Sequence, residues 1–191
     1  MRQLSYKNFK VITGWFLVLP TLLGLYLGYL QFSGNFHKVI PGELYRSAQP
    51  TAAMISYAVK KEGIKTILNL RGANPQRDWY QNEVREIKSL GVNLIEFRMS
   101  AKRELTKNDT DKLIDIMRKA PKPLLIHCQG GADRSGLAVA IYLAVLKNIP
   151  AEEAESQISI RFGHFSLPYL SKSFAMDTTF EKVEKWYDLL D

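Results

Sequence analysis

Ile126-His127-Cys128-Gln129-Gly130-Gly131-Ala132-Asp133-Arg134-Ser135-Gly136 is the stretch on which the reading of this 191-residue chain turns. The apolar run Pro123-Leu124-Leu125-Ile126 precedes it, and Leu137-Ala138-Val139-Ala140-Ile141-Tyr142-Leu143 follows at helical spacing. That order predicts a buried strand, a tight glycine-containing loop and then a helix N-terminus. Such a junction gathers backbone N–H groups and the positive end of a helix dipole around one point, so it attracts anions. The loop opens with the only cysteine of the chain and closes on an arginine. The combination points to a nucleophile seated beneath a bound phosphate.

Each residue type suits that chemistry. A cysteine attacks phosphorus only as thiolate, and the loop amides, the helix end and Arg134 all favour that anion. Gly130 and Gly131 reach backbone angles that other residues resist, which lets successive amides of Gln129 to Asp133 face one centre. Arg134 offers a planar fork for two phosphate oxygens, a match that lysine lacks. As charge spreads over the equatorial oxygens in the transition state, the fork and the amides bind it. Ser135 is placed to donate to the departing thiolate, and His127 to hold the shape of the loop. The chemistry calls for no metal and no cofactor.

The segment resembles the signature of the cysteine-dependent protein tyrosine phosphatases: His-Cys, five residues, Arg, then Ser or Thr. His127, Cys128, Arg134 and Ser135 match every fixed position. A rhodanese-like sulfur-transfer domain also places a Cys in a phosphate-sized loop, but the His before the Cys and the Ser after the Arg favour the phosphatase. Upstream, Pro41-Gly42-Glu43-Leu44-Tyr45-Arg46-Ser47-Ala48-Gln49-Pro50 is similar to the opening of the compact bacterial and atypical dual-specificity subgroup, as is Thr66-Ile67-Leu68-Asn69-Leu70-Arg71-Gly72. Val39-Ile40 and Leu44-Tyr45-Arg46 flank a Pro-Gly turn, which predicts a short hairpin. Arg46, Ser47 and Gln49 either support the loop from outside or are solvated residues of that hairpin. The resemblance spans roughly residues 39 to 165.

The N-terminus carries a separate signal. Val11 to Leu30 contains no charged residue and is mostly apolar, long enough to cross a hydrocarbon layer of roughly 30 Å as a helix. Trp15 lies near one end, with Tyr26 and Tyr29 near the other, as interfacial aromatics do. Pro20 and the glycines are tolerated in membrane helices, and no Ala-x-Ala-like cleavage site follows Leu30. The expectation is a cytoplasmic basic N-terminus over 1–10, a transmembrane signal-anchor over 11–32, a linker over 33–38 and a catalytic domain over 39–191. Arg2, Lys7 and Lys10 precede the segment without an acid, so the positive-inside rule exports the catalytic domain to the periplasmic or extracytoplasmic side. Those three cations belong to the net charge of +7. What remains is mild, compatible with an anionic substrate or a membrane surface but not with a nucleic-acid partner.

Strands are expected near 44–46, 65–70, 92–97 and 123–127, and helices near 51–62, 77–90, 107–119, 135–147, 151–161 and 177–190. This alternation predicts an α/β fold with a mainly parallel central sheet flanked by helices, as in the tyrosine and dual-specificity phosphatases that the motif resembles. Ligands of such sheets bind beyond the carboxyl ends of strands, where Cys128 falls.

The general acid is the open position. The resemblance implies an Asp on a loop about thirty residues before the Cys, yet Glu96-Phe97-Arg98-Met99-Ser100-Ala101-Lys102-Arg103-Glu104 contains none. Glu104 is on the right loop. Asp133 sits inside the phosphate loop, a placement similar to that in myotubularin-like lipid phosphatases. Asp109 forms a capping box with Thr106 at a helix start. Two function classes follow: an active phosphatase, or a phosphate-binding pseudophosphatase that recognises phosphorylated partners. Lipid- and inositol-phosphate members often carry lysines in the loop, and Gln129 to Asp133 has none. A phosphorylated protein is therefore the expected substrate, with a phosphoinositide or inositol phosphate as the alternative.

Overall fold

The computed structural model describes residues 6–168 and 170–189, with backbone alone for 6–17 and 19. Five short strands form one sheet: β1 (His37–Ile40), β2 (Leu44–Ser47), β3 (Thr66–Asn69), β4 (Asn93–Glu96) and β5 (Leu124–His127). Their order is β1-β2-β5-β3-β4; β1 pairs antiparallel with β2 through the expected hairpin, and every other pair is parallel. The register brings Ser47, His127, Asn69 and Glu96 to one edge. The loop after β5 starts there, at the carboxyl ends of the parallel strands.

The three inner strands are buried along their whole length, as strands covered on both faces must be. Their side chains alternate between two cores. Leu44, Leu68, Leu124 and Ile126 pack toward α4 (Lys107–Lys119), α5 (Asp133–Ile141) and α7 (Ala175–Trp186). Tyr45, Ile67 and Leu125 pack with Ile55 of α2 (Ala52–Glu62) and Ile87 of α3 (Asp78–Ser89). Local signals end these helices where the sequence places them. Thr51 Oγ1 accepts the Met54 amide at the start of α2, and Gly63 closes it in the left-handed region. Thr106 Oγ1 accepts the Asp109 amide at the start of α4, half of the expected capping box, while the Asp109 carboxylate accepts the Thr106 hydroxyl rather than its backbone amide. The helix after the loop runs as α5 to Ile141 and then widens into a π turn over Tyr142–Leu146.

One helix is shorter than expected. The stretch predicted as a helix over 151–161 is α6 (Ala151–Glu155), followed by turns and a 3-10 helix at Ile160–Phe162. The reason lies across the fold: the Arg46 guanidinium takes the Gln157 carbonyl at 2.9 Å, and that carbonyl packs so close to Gly136 that an added Cβ would stand 2.7 Å from it.

Helix α1 (Tyr6–Phe32) is continuous through Pro20. The expected membrane segment lies within it, but side chains 11–17 and 19, Trp15 among them, are outside the described residues. Among the described residues no helix is long and apolar enough to cross a membrane. The C-terminal end of α1 docks on the domain: Leu30 is buried, and Tyr26 Oη donates to the Arg161 carbonyl at 2.5 Å. Of the 33–38 stretch, Asn35 is buried and β1 begins at His37.

Candidate active site

The loop from Gln129 to Ala132 turns its carbonyls outward, and each has a partner outside the loop's centre. The Gln129 carbonyl accepts the Gln49 amide at 3.0 Å. The Gly130 carbonyl accepts Asn35 Nδ2 at 2.9 Å. Arg46 Nη2 donates to the Gly131 and Ala132 carbonyls at 2.7 and 3.1 Å. With the carbonyls held outward, the amides are left to face inward. Among the described residues no backbone N–H from Gln129 to Ala132 has a protein acceptor. This is the concave amide nest that binds a phosphate group.

Arg46 is fully buried, stacked 4.1 Å from the Phe162 ring centroid. Burial pulls its pKa down, and the Cys128 charge works in the other direction; arginine stays charged in any case. Gly131 adopts φ +69°, and a Cβ there would stand 2.6 Å from the Ala48 nitrogen and 2.7 Å from the Ser47 carbonyl carbon. Arg46, Ser47 and Gln49 are thus the outer support of the loop rather than solvated hairpin residues.

At the floor lies Cys128, 2 % exposed and unpaired. Among the described residues, buried Arg134 Nε and Ser135 Oγ, like Arg46 Nε and Asn69 Nδ2, have no protein hydrogen-bond partner. A bound oxyanion can accept from Arg134 Nε, and a thiolate from Ser135 Oγ. Cys128, Gln129, Gly130, Ala132, Asp133 and Arg134 line one cleft. Ser100, Ala101 and Lys102 line the same cleft, together with Gln31 from the last turn of α1.

His127 is buried against Glu83 of α3, Nε2 to Oε1 at 2.8 Å. A carboxylate accepts, so the ring carries its proton on Nε2. The same Glu83 takes Gln49 Nε2 at 2.8 Å, and Gln49 Oε1 takes Arg71 Nη1 at 2.8 Å. Arg71 lies flat on Trp79, 3.5 Å from the ring centroid. Burial and the charge of Arg134 lower its pKa, while Glu83 and Cys128 oppose them. Glu83 carries no motif-level signal of a role here, and Arg71 closes a stretch that resembles the subgroup without the sequence showing what it touches; the folded chain brings both to the loop.

The two acid candidates part company. Glu104 pairs with Lys182 and lines a different cleft with Ser171, Lys172 and Thr178; the neighbouring Leu105 amide is tied to Thr179 of α7 at 3.2 Å. Asp133 stays on the wall of the Cys128 cleft, with His164 Nδ1 2.8 Å from its Oδ1.

Residues 34–170 match the family model described as "DSP-PTPase phosphatase fused to NAD+ Kinase". The chain belongs to this family. That places it in the cysteine-dependent tyrosine phosphatase superfamily, in its atypical dual-specificity branch. This DSP-PTPase is 29 % identical over 110 residues to the inositol diphosphatase SIW14 of Saccharomyces cerevisiae, a match that covers 55 % of the chain and 37 % of that protein. The match therefore spans little more than a third of the curated relative's length. The crystal structure of the core catalytic domain of SIW14 in complex with citrate superposes with a TM-score of 0.58 at 25 % identity, covering 82 % of this chain and 94 % of that one. PTPMT1 in complex with PI(5)P shares the fold, with a TM-score of 0.58 at 19 % identity over 79 % of this chain and 97 % of that one.

Proposed function

We propose that this phosphatase hydrolyses the phosphate esters of inositol, free or as a phosphoinositide head group, through a phosphocysteine at Cys128. The expectation of a phosphoprotein substrate rested on a loop without lysine. The observation that favours the inositol reading is that cations reach the site from outside the loop. Arg71, held by Gln49 and Trp79, is near enough to the loop for the charges of Arg134 and Cys128 to act on it, and Lys102 lines the cleft. A substrate bearing several phosphates on one ring meets both. The similarity to an inositol diphosphatase points the same way.

In this reading Cys128 attacks in line, Arg134 and the amides of Gln129 to Arg134 bind the equatorial oxygens, and Ser135 stabilises the thiolate when it leaves. Asp133 is the acid. No step needs a metal or a cofactor.

Membrane attachment belongs to the same proposal. The uncharged Val11–Leu30 segment and the exposed Leu22, Leu25, Tyr29 and Phe32 on α1 favour an anchor, with the catalytic domain on the extracytoplasmic side. Retention in membranes after a carbonate wash and an active alkaline phosphatase fusion after Asp191 are the expected outcomes.

The deciding experiment is a single panel: a soluble inositol polyphosphate, PI(5)P in vesicles and a phosphotyrosine peptide, each with trapping of labelled phosphate on Cys128. Faster turnover of either inositol ester supports the proposal, and the soluble and vesicle arms separate the two sources. A preference for the peptide returns the phosphoprotein reading. Phosphate binding without a trapped intermediate marks a pseudophosphatase.

A further inference from the structure

Asp133 does not stand alone on the cleft wall. His164 Nδ1 lies 2.8 Å from its Oδ1, and across the same ring Nε2 lies 3.0 Å from Asp177 Oδ2 and 3.2 Å from Ser166 Oγ. Ser166 Oγ donates to Asp177 Oδ2 at 3.0 Å, which fixes the second carboxylate. The ring is 4 % exposed. A carboxylate at each nitrogen can only accept, so the form that satisfies both is the doubly protonated imidazolium. Three separate parts of the chain build this row: Asp133 at the start of α5, His164 in the loop after Phe162, and Asp177 in the first turn of α7.

We infer that His164, held by Asp177, is the proton store through which Asp133 serves as general acid, in place of the loop aspartate that this chain lacks. The inference rests on the phosphatase reading above and deepens it. A carboxylate paired with an imidazolium is ionised, which by itself makes it a poor acid; the pair as a unit nevertheless holds one transferable proton. As the Cys128 sulfur–phosphorus bond forms and the phosphorus–oxygen bond breaks, the His164 Nδ1 proton passes to Asp133 and from Asp133 to the leaving oxygen. The row then holds an ionised Asp133 and a neutral ring. In the second half, water attacks phosphorus, its proton passes to Asp133 and on to His164, and the sulfur–phosphorus bond breaks to restore the thiolate. Ester and water become alcohol and phosphate, and the stored proton is back in place. His164 touches Asp133, not the substrate, so it is a positioning residue.

The surrounding charges agree. Burial works against a charged ring, but hydrogen bonds to Asp133 and Asp177 and their charges raise the His164 pKa to about 9. Glu155 of α6 faces the same cluster, its carboxyl raised by burial and by Glu184 and Asp177. On the loop of His164 itself, the Arg161 guanidinium lies over the Phe162 ring. The proton is therefore in place at neutral pH, where an ordinary carboxylic acid has lost its own.

The test compares His164→Gln and Asp177→Asn in the full chain on an alkyl phosphate, which needs a proton on its leaving group, and on p-nitrophenyl phosphate, which does not. For His164→Gln the expected loss on the alkyl ester is about 100-fold or more, the scale of a lost general acid, with a loss at least tenfold smaller on the aryl ester. Asp177→Asn removes one of the two carboxylates that hold the proton, so the basic limb of the alkyl-ester profile moves to lower pH. Equal losses on both esters, or a basic limb unmoved in Asp177→Asn, overturn the inference. An NMR titration of the His164 ring in the unmutated protein reads the proton without any substitution; a ring that titrates below pH 7 also overturns it. Absence of turnover on both esters by the unmutated protein would sink the phosphatase reading itself, a result distinct from equal losses in the variants.

Discussion

Replacing Arg46 by Met tests whether a buried guanidinium holds the phosphate loop open. Arg46 makes four hydrogen bonds: two from Nη1 to the Gln157 carbonyl and side chain, and two from Nη2 to the Gly131 and Ala132 carbonyls. Methionine fills the stem and keeps a contact with Phe162, so little is lost in packing. It leaves the Gly131 and Gln157 carbonyls without their donor in a dry site; the Ala132 carbonyl keeps the Gly136 amide at 2.8 Å. Two orphaned carbonyls cost about 1–3 kcal/mol each, and relief of the buried charge offsets part of that. The net is about 3 kcal/mol, or a fall in Tm of roughly 6–12 °C for a domain of this size. Activity suffers separately, because carbonyls free to turn inward replace amides that should face the phosphate. A loss of about 100-fold in kcat/KM is expected, comparable to one missing oxyanion-hole donor. Urea denaturation and p-nitrophenyl phosphate kinetics measure the two effects. A variant within about 0.5 kcal/mol and threefold of the parent would refute the reasoning, since the carbonyls would then hold their direction without Arg46.

Arg134→Lys loses the two-oxygen fork and should lower kcat/KM by about 100-fold or more; a loss of only a few-fold would mean that the guanidinium is not bidentate to phosphate. Gly131→Ala combines φ +69° with a Cβ 2.6 Å from the Ala48 nitrogen, so a destabilisation of at least about 2 kcal/mol is expected in urea melts, within the range of strained backbone. His164 contributes pH-dependent stability. Its folded pKa, raised from 6.5 to about 9, means that the contribution is complete below pH 6.5 and is lost as pH rises through 9. Its size is about 3 kcal/mol from the pKa difference. Urea midpoints at pH 6 and pH 10 read it, and in His164→Gln the gap should shrink by that amount; an unchanged gap assigns the pH dependence elsewhere.

Much of the fold could be read from residues adjacent in the chain. Strand, glycine loop and helix start around Cys128 are local matters of hydrophobic run, turn chemistry and capping, and the alternation of strands and helices implied the parallel sheet. The end of α6 was not legible, because what stops it is Arg46, more than a hundred residues earlier. The supports of the loop were legible only in part: the upstream motif offered Arg46 and Gln49 as one of two readings, but nothing pointed to Asn35 or Glu83, because a hydrogen bond to a distant partner leaves no trace in the periodicity of the donor's own segment. The choice between Glu104 and Asp133 was likewise tertiary: Lys182 and Thr179 of α7 draw the Glu104 segment aside, while His164 and Asp177 gather around Asp133. The sequence by itself determined the nucleophile-bearing loop and its place at the end of a strand, because covalent neighbours and short-range sterics suffice for both. Only the tertiary structure decided which carboxylate faces the loop and what charge stands beside it, because electrostatic interaction follows distance through space and the chain brings remote side chains within 3 Å of one another only when it is packed.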